Sequence, residues 1–482
     1  MEQKTRSCAG ISATGNWYID AGIVGFLRYL HEDVNYSKEE IKNLVYGNSC
    51  IDERVLSDFG LALWLDKLKL KRELSEKEEN RTNWENFKNK LKEEWKNREN
   101  KDLKALTSFL KEKFCNGTEF KIGENVSLRA GMLFNFKFFN TSKLKNCTMF
   151  DDFYNYMTNK EISKEEQIFD KTINKFLPSV TEFPNEFIRS ITLNDLEKHI
   201  PNFRVFFLSF ERAFVNLGRW YFFHSPDIME SFNISLNLTE NKSRNDSVVT
   251  AESEWTYYNF QVIIYSGFDN KNQEIAGVSF LPLDVATAKI LKSNTFKKRL
   301  RSLLREFPVA EESGNNAYTN ALELLVEKKP LSAFMISLML RAFKDESFKK
   351  EFDNAYYYGI YWATAEMLHR LPESSILSES DKIFRRVKNV YSSFKKLLET
   401  SKYDKNTVKN YFLNLTEAAL KNNVYEFKFI ILRLLQDIID STTDKEDARR
   451  HVTYLLNYMN LIENNFQPKT VPILTSLYEM LK

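Results

Sequence analysis

Thr14-Gly15-Asn16-Trp17-Tyr18-Ile19-Asp20-Ala21-Gly22-Ile23-Val24-Gly25-Phe26-Leu27-Arg28-Tyr29-Leu30 is the stretch on which the reading of this chain turns. A polar Thr-Gly-Asn turn leads into an aromatic pair. A helical pattern follows, with Ile19, Ile23, Phe26, Leu27 and Leu30 on one face at spacings of three and four. Gly15, Gly22 and Gly25 interrupt it. Glycine inside a helix costs roughly 1 kcal/mol relative to alanine, so glycines here imply that something lies close against the helix. Two readings of that approach stay open: the tight packing of a first core helix, or contact with a polymer or a neighbouring backbone.

Working outward, 482 residues predict two or three domains, and a hydrophobic content of 43% is enough for a real core. The 69 basic and 66 acidic residues leave a net charge of only +3, so any surface for nucleic acid must be local. Aromatics reach 14%, and such rings stack on bases as well as fill cores. Cys8, Cys50, Cys115 and Cys147 are scattered with no CxxC pair, which speaks against a zinc site and against a disulfide scaffold and fits a reducing cytoplasm. No signal peptide is read, and the apolar run after Ile19 carries Asp20 and Arg28 and is too short to span a bilayer, so no membrane partner is expected.

The rest of the chain predicts an α+β protein: a mixed α/β N-terminal body over 1–340, then an all-α C-terminal helical bundle over 341–482. Ser37-Lys38-Glu39-Glu40 is a capping box opening one of two short helices in 37–68. Residues 67–114 read as an amphipathic helical hairpin with Trp84, Phe87, Leu91 and Trp95 as its apolar stripe. Strands are expected at 120–122, 126–139, 255–265 and 275–283, with 151–177 helical. The run 203–210 fits a buried strand or the start of a helix. The polar span 233–249 reads as a loop or twisted hairpin. No strand is expected beyond Asp284; helices are read at 285–306, 317–326 and 331–344, then four or five more, with breaks at 371–375, 401–405, 441–444 and Gln467-Pro468.

Catalytic constellations are not found. His31, His199, His224, His369 and His451 form no HxH, HExxH or HD pair, and there is no phosphate-binding GxxxxGK loop and no GxSxG elbow. Glu252 and Glu254 could serve a Mg²⁺-dependent nuclease or simply end a strand. Cys50 could be a nucleophile but has no identifiable His partner and reads equally as a core residue. Binding chemistry is better represented. Lys297, Lys298, Arg301 and Arg305 form a basic helical stripe suited to phosphates, with Leu300, Leu303 and Leu304 facing inward. Lys137, Asn140, Thr141, Ser142 and Lys143 follow an aromatic run and offer stacking with phosphate or base-edge contacts. In the tail, Arg385, Arg386, Lys395, Lys396, Arg449 and Arg450 recur across helices and could line a groove for a single strand. A solvated, charge-balanced face is the alternative for each patch.

The opening stretch resembles the N-terminus of the large subunit of the type I-B CRISPR Cascade, the Cas-eight class that includes the Cst group. Those proteins begin with Thr-Gly-Asp/Asn, an aromatic pair, and Ala-Gly-Ile/Val-x-Gly-Phe-x-x-Leu, here Thr14 to Tyr18 and Ala21 to Leu30. The resemblance implies a non-catalytic subunit without a cofactor. It would join the crRNA-bearing backbone subunits, recognise the protospacer-adjacent motif in target double-stranded DNA, aid duplex opening, and guide the displaced single strand along a tail resembling the Cascade small subunit. It would also help recruit the helicase-nuclease effector in antiviral defence. Many relatives carry a CxxC…CxxC zinc site that is missing here, so no metal is expected. Met335 and Met339 stand where an internal start for a separate small subunit would fall. The rival expectations are a defence nuclease using Glu252 and Glu254, and a helical adaptor that binds only protein through 67–114 or the tail.

Overall fold

The computed structural model describes residues 10–70, 75–116, 126–128, 147–158, 200–217, 219–240, 261–265, 278–296, 299–309, 317–352, 354–401, 403–442, 444–460 and 466–482. The fold is α+β, with helices dominating and the strands short. Two compact units form: Met1–Leu236 with Gln261–Phe280, and Asn237–Phe260 with Leu281–Lys482. The division expected from the sequence falls at 340/341; in the structure helix 331–344 lies inside the second unit.

In the first unit the order is α1 (Trp17–Arg28), a π-helical turn (Tyr29–Asp33), α2 (Lys38–Val45), α3 (Glu53–Lys67), β1 (Leu68–Leu70), α4 (Glu78–Lys96), α5 (Leu103–Phe114), β2 (Val126–Leu128), α6 (Thr148–Met157), α7 (Phe203–Ala213), β3 (Val215–Asn216), β4 (Trp220–His224), α8 (Ile228–Glu240), which runs on past Leu236, β5 (Gln261–Tyr265) and β6 (Val278–Pro282). Helix α1 is buried along almost its whole length, as expected of a helix enclosed by its own unit. It crosses α7, which resolves 203–210 as helix. A Cβ on Gly22 would lie 2.5 Å from the Phe206 carbonyl oxygen, and one on Gly25 would come closer still to that of Ser209. The glycines therefore answer to a neighbouring helix backbone in the same unit. Around the crossing, Tyr18 stacks on Phe210 at 4.3 Å between ring centroids, and Phe26 meets Phe206 edge-on at 5.9 Å.

Several local expectations are met. Ser37 and Glu40 form the reciprocal capping box of α2, and α4 buries Trp84, Phe87, Leu91 and Trp95 while its charged faces stay in water. Strand β5 joins the antiparallel β3-β4-β5-β6 sheet, in register Phe222↔Ile263. The expected strands at 120–122 and 129–139 lie outside the described residues, as do most of 151–177 and 255–260.

Other expectations are corrected. Residues 228–240 are helix, not loop: Ile234, Leu236 and Leu238 are buried, as are Ser231, Ser235 and Asn237. A helix enclosed on all sides buries polar residues as well, so its apolar stripe is not visible. The Arg28 guanidinium, buried in α1, donates to Ser235 Oγ (3.0 Å) and Glu32 Oε1 (2.8 Å), so it too is satisfied internally. The cysteines also depart from expectation. Cys115 and Cys147 are disulfide-bonded, Cys50 is disulfide-bonded as well, and no free cysteine is found among the described residues. Cys115 caps the end of α5 and Cys147 precedes α6; the two helices pack together and bring residues 32 apart in sequence to a Cα separation of 6.3 Å. No local spacing announces such a pair. Closing a loop of this length restricts the unfolded chain, so reducing the bridge is expected to cost about 3–4 kcal/mol, read as a lower urea midpoint with dithiothreitol than without. An unchanged midpoint would show that the bridge constrains nothing.

The second unit continues with α9 (Val285–Lys292), α10 (Arg301–Leu304), β7 (Glu306–Val309), β8 (Ala317–Asn320), α11 (Ala321–Val326), α12 (Leu331–Lys344), α13 (Glu346–Glu351), α14 (Ala355–His369), a 3-10 turn (Glu373–Ser375), α15 (Ile376–Thr400), α16 (Lys405–Leu420), α17 (Val424–Ser441), α18 (Lys445–Asn460) and α19 (Phe466–Leu481). Strands do occur after Asp284: β7 and β8 pair antiparallel, Glu306 opposite Asn320. The expected helix 285–306 is broken between α9 and α10 by successive i to i+3 turns, and 317–326 is half strand. Helix α19 packs on α12, α14, α15 and α16. It starts at Phe466, so Pro468 falls in its first turn, where a missing N–H has no intrahelical acceptor to lose, and the chain does not break at Gln467-Pro468. Met335 and Met339 are fully buried within α12, as core residues are.

Candidate nucleic-acid interface

The basic candidates separate once each is placed. Helix α15 turns Val387, Val390, Tyr391, Phe394, Leu397 and Leu398 inward, which leaves Arg385 and Arg386 in solvent. Helix α18 packs beside it, with Ala448, Val452, Leu455 and Tyr458 buried and Arg449 and Arg450 exposed. Four of the six tail candidates thus stand exposed on two adjacent helices. Lys396 is spent in part on Asp447 (2.7 Å), an ion pair that ties α15 to α18. Lys395 lies 3.9 Å from Glu399 and over the Tyr391 ring, and Arg450 pairs with Glu446 at 2.9 Å. Such exposed pairs are worth little and exchange readily for phosphate. Among the described residues Arg385, Arg386 and Arg449 make no ion pair.

Arg386 has a further neighbour. Lys469, at the start of α19, is nearly buried, and burial together with the like charge of Arg386 pushes its ammonium pKa down. Two like charges held near one desolvated spot make the local potential positive, which favours an anion. Tyr454 and Tyr458 of α18 feel the same guanidinium, although burial keeps both hydroxyls protonated and pushes their pKa up. The site is therefore a short basic strip crossing α15, α18 and the start of α19.

The stripe at 297–305 is not assembled as expected. Arg301 and Arg305 do not share a continuous helix. Arg301 donates to the Leu238 carbonyl, and Arg305 donates to the Tyr358 hydroxyl (2.7 Å) and covers the Phe307 and Tyr358 rings. Both act as internal braces of the second unit. Lys297 and Lys298 lie outside the described residues, as do Lys137, Asn140, Thr141, Ser142, Lys143, Glu252 and Glu254. Cys50, bound in a disulfide, is not a free nucleophile. The described histidines are engaged singly: His224 with Asp20, His369 with Asp284, His451 with Asp447, and His31 with the Tyr36 carbonyl. No group of three His, Cys, Asp or Glu able to hold a metal is found among the described residues, and no helix there is long and apolar enough to cross a membrane.

No family model matches the chain, and no curated protein or solved structure does.

Sequence reasoning missed Lys469, because a lone lysine beside Pro468 gives no periodic signal. It also missed a second apolar face on α17. Phe427, Ile431, Leu434, Leu435 and Ile438 fill the core, while Tyr425 (86% exposed), Phe429 (69%) and Leu432 (49%) lie in water at i, i+4 and i+7. A helix with apolar residues on two sides was the legible sign.

Proposed function

We infer that the chain is a non-catalytic, nucleic-acid-binding large subunit of a type I-B CRISPR Cascade, acting in the cytoplasm with crRNA, the backbone and small subunits, target DNA and a helicase-nuclease. The opening motif supports the family, and the exposed arginines of α15 and α18 carry the binding claim: among the described residues three of them lack an internal counter-ion, so phosphate is their natural partner. In this reading the C-terminal helices hold the displaced strand by its backbone, and base pairing with the guide reads its sequence.

The test is co-purification with guide RNA and backbone subunits, followed by filter binding of single-stranded DNA across a salt series. Arg385→Glu, Arg386→Glu and Arg449→Glu together are expected to lower affinity at least tenfold and to flatten the log-log salt slope by about 3, roughly one per lost phosphate contact. The folded state should be unchanged, since all three side chains are exposed. A chain that ignores both nucleic acids at low salt ends this reading. The cytoplasmic assignment has its own check, because glutathione and thioredoxin keep cytosolic thiols reduced. Alkylation in intact cells should label Cys115 and Cys147; a protected pair would place the chain in an oxidising compartment.

A second reading, a protein-binding adaptor, is favoured by the Tyr425, Phe429 and Leu432 stripe, since anchors at that spacing suit helix-in-groove recognition. Partner capture that survives the triple arginine reversal but is lost in Phe429→Glu would select it.

A further inference from the structure

A cavity of about 200 Å³ opens in the first unit, among the residues after α1, helix α3 and the end of α4. Its lining includes a carboxylate, two aromatic rings and several cations. Asp58, only 4% exposed, accepts from the Trp95 indole N–H (2.8 Å) on one oxygen and from the Tyr36 hydroxyl (3.2 Å) on the other. Burial first, and then the charge of Asp58, push the Tyr36 pKa up, so its hydroxyl stays a donor at neutral pH. A carboxylate offers about four acceptor positions. Two neutral donors occupy one on each oxygen, which leaves one on each.

The cations decide what those positions are for. Arg54, Lys96 and Lys101 line the same cavity and, among the described residues, make no ion pair. Other charges there are engaged: Lys92 with Asp33 at 3.4 Å, and Glu40 in its capping box. Glu93 offsets one cation at most. A guanidinium or ammonium ligand for Asp58 would meet the repulsion of this rim. A ligand that is anionic at one end and a planar N–H donor at the other satisfies both. Guanine presents two adjacent N–H groups on its Watson–Crick edge, whereas adenine, cytosine and uracil do not.

We propose that this cavity is a guanine-nucleotide site, in which Asp58 accepts from the base edge, Tyr36 and Trp95 wall the ring, and Arg54, Lys96 and Lys101 hold the phosphate. Base stacking on aromatic rings and charge-assisted bonds to phosphate are the general forces involved. The volume suits one nucleotide, either free or at the end of a strand. The proposal does not depend on the Cascade reading, because a free nucleotide is its first probe.

The experiment is calorimetric and tryptophan-fluorescence titration of the full chain, freed of nucleic acid, with GMP, AMP, inorganic phosphate and arginine amide. Saturable GMP binding is expected, at least tenfold tighter than AMP, since AMP leaves part of the buried carboxylate unsatisfied. Asp58→Asn should erase the GMP-over-AMP preference. Should that variant misfold, Arg54→Glu with Lys96→Glu, both at exposed positions, should weaken GMP and AMP alike by at least tenfold. An RNA oligonucleotide ending in 5′-phosphoguanosine that competes with GMP identifies a strand end as the source; GMP binding without that competition identifies the free nucleotide. Equal GMP and AMP affinities, no saturable binding, or tighter binding of arginine amide overturns the proposal. A chain that ignores GMP yet still binds long RNA or DNA at low salt loses this site and keeps the proposed function.

Discussion

Gly25→Ala is expected to destabilise the first unit by about 3 kcal/mol or more, at the upper end of the range for overpacking. The added methyl would collide with the Ser209 carbonyl, a backbone atom in the middle of α7. No rotamer change relieves that overlap. Either α7 distorts or the helices separate, and separation loosens the Tyr18–Phe210 and Phe26–Phe206 contacts together. Intrinsic helix propensity pulls the other way, since alanine is favoured over glycine by roughly 1 kcal/mol, so the sign of the result is informative. Urea denaturation followed by circular dichroism reads it. A more stable variant would mean that α7 does not lie against Gly25. Gly15→Ala is the control: Gly15 has φ +76° and open space around it, so only the left-handed backbone penalty of about 1–2 kcal/mol applies. The Gly25 variant also separates the two readings of the opening glycines. A polymer lying on this face would leave Gly25→Ala folded but unable to bind, whereas helix packing loses the fold.

Asp20→Ala is the second large effect, at about 3–5 kcal/mol. Asp20 is wholly buried in the first turn of α1. One carboxylate oxygen accepts from the Thr14 backbone N–H and from its hydroxyl, both at 2.8 Å, and the other lies 2.8 Å from His224 Nε2 on β4. His224 Nδ1 is in turn 3.2 Å from the Gln261 amide on β5. Removing the carboxylate strands three polar groups at the junction of turn, helix and sheet. Asp20→Asn keeps an acceptor and should recover part of the loss. A loss under about 1 kcal/mol for alanine would mean that water replaces the carboxylate at little cost.

These two variants show why the opening stretch was legible as important but not as to its purpose. Every residue of the Thr-Gly-Asn turn acts locally. Thr14 anchors Asp20, Gly15 takes the left-handed conformation, and Asn16 caps α1 by accepting from the Tyr18 N–H. Composition and periodicity show that something crowds Gly22 and Gly25. They cannot show that it is α7, nearly two hundred residues further along.

The same division holds elsewhere. The capping box of α2 and the Trp84–Trp95 stripe of α4 were readable because their determinants lie within one or a few turns of helix. Helix 228–240 was misread because enclosure on all sides erases the amphipathic pattern. The basic positions of α15 and α18 were readable as charges, but whether each charge is spent depends on partners from other elements. Arg301 and Arg305, equally basic in the sequence, are consumed by Leu238 and Tyr358.

By itself, then, the sequence determined the α+β class, the helical character of 331–344 and the tail, and the caps and stripes whose forces act over a few residues. Tertiary structure alone decided which backbone meets the glycines, that Cys115 joins Cys147, which arginines remain available, and that Asp58, Tyr36 and Trp95 share one cavity. The reason is range. Propensity and capping are local terms, whereas close approach, disulfide pairing and charge compensation depend on which distant residues packing brings together.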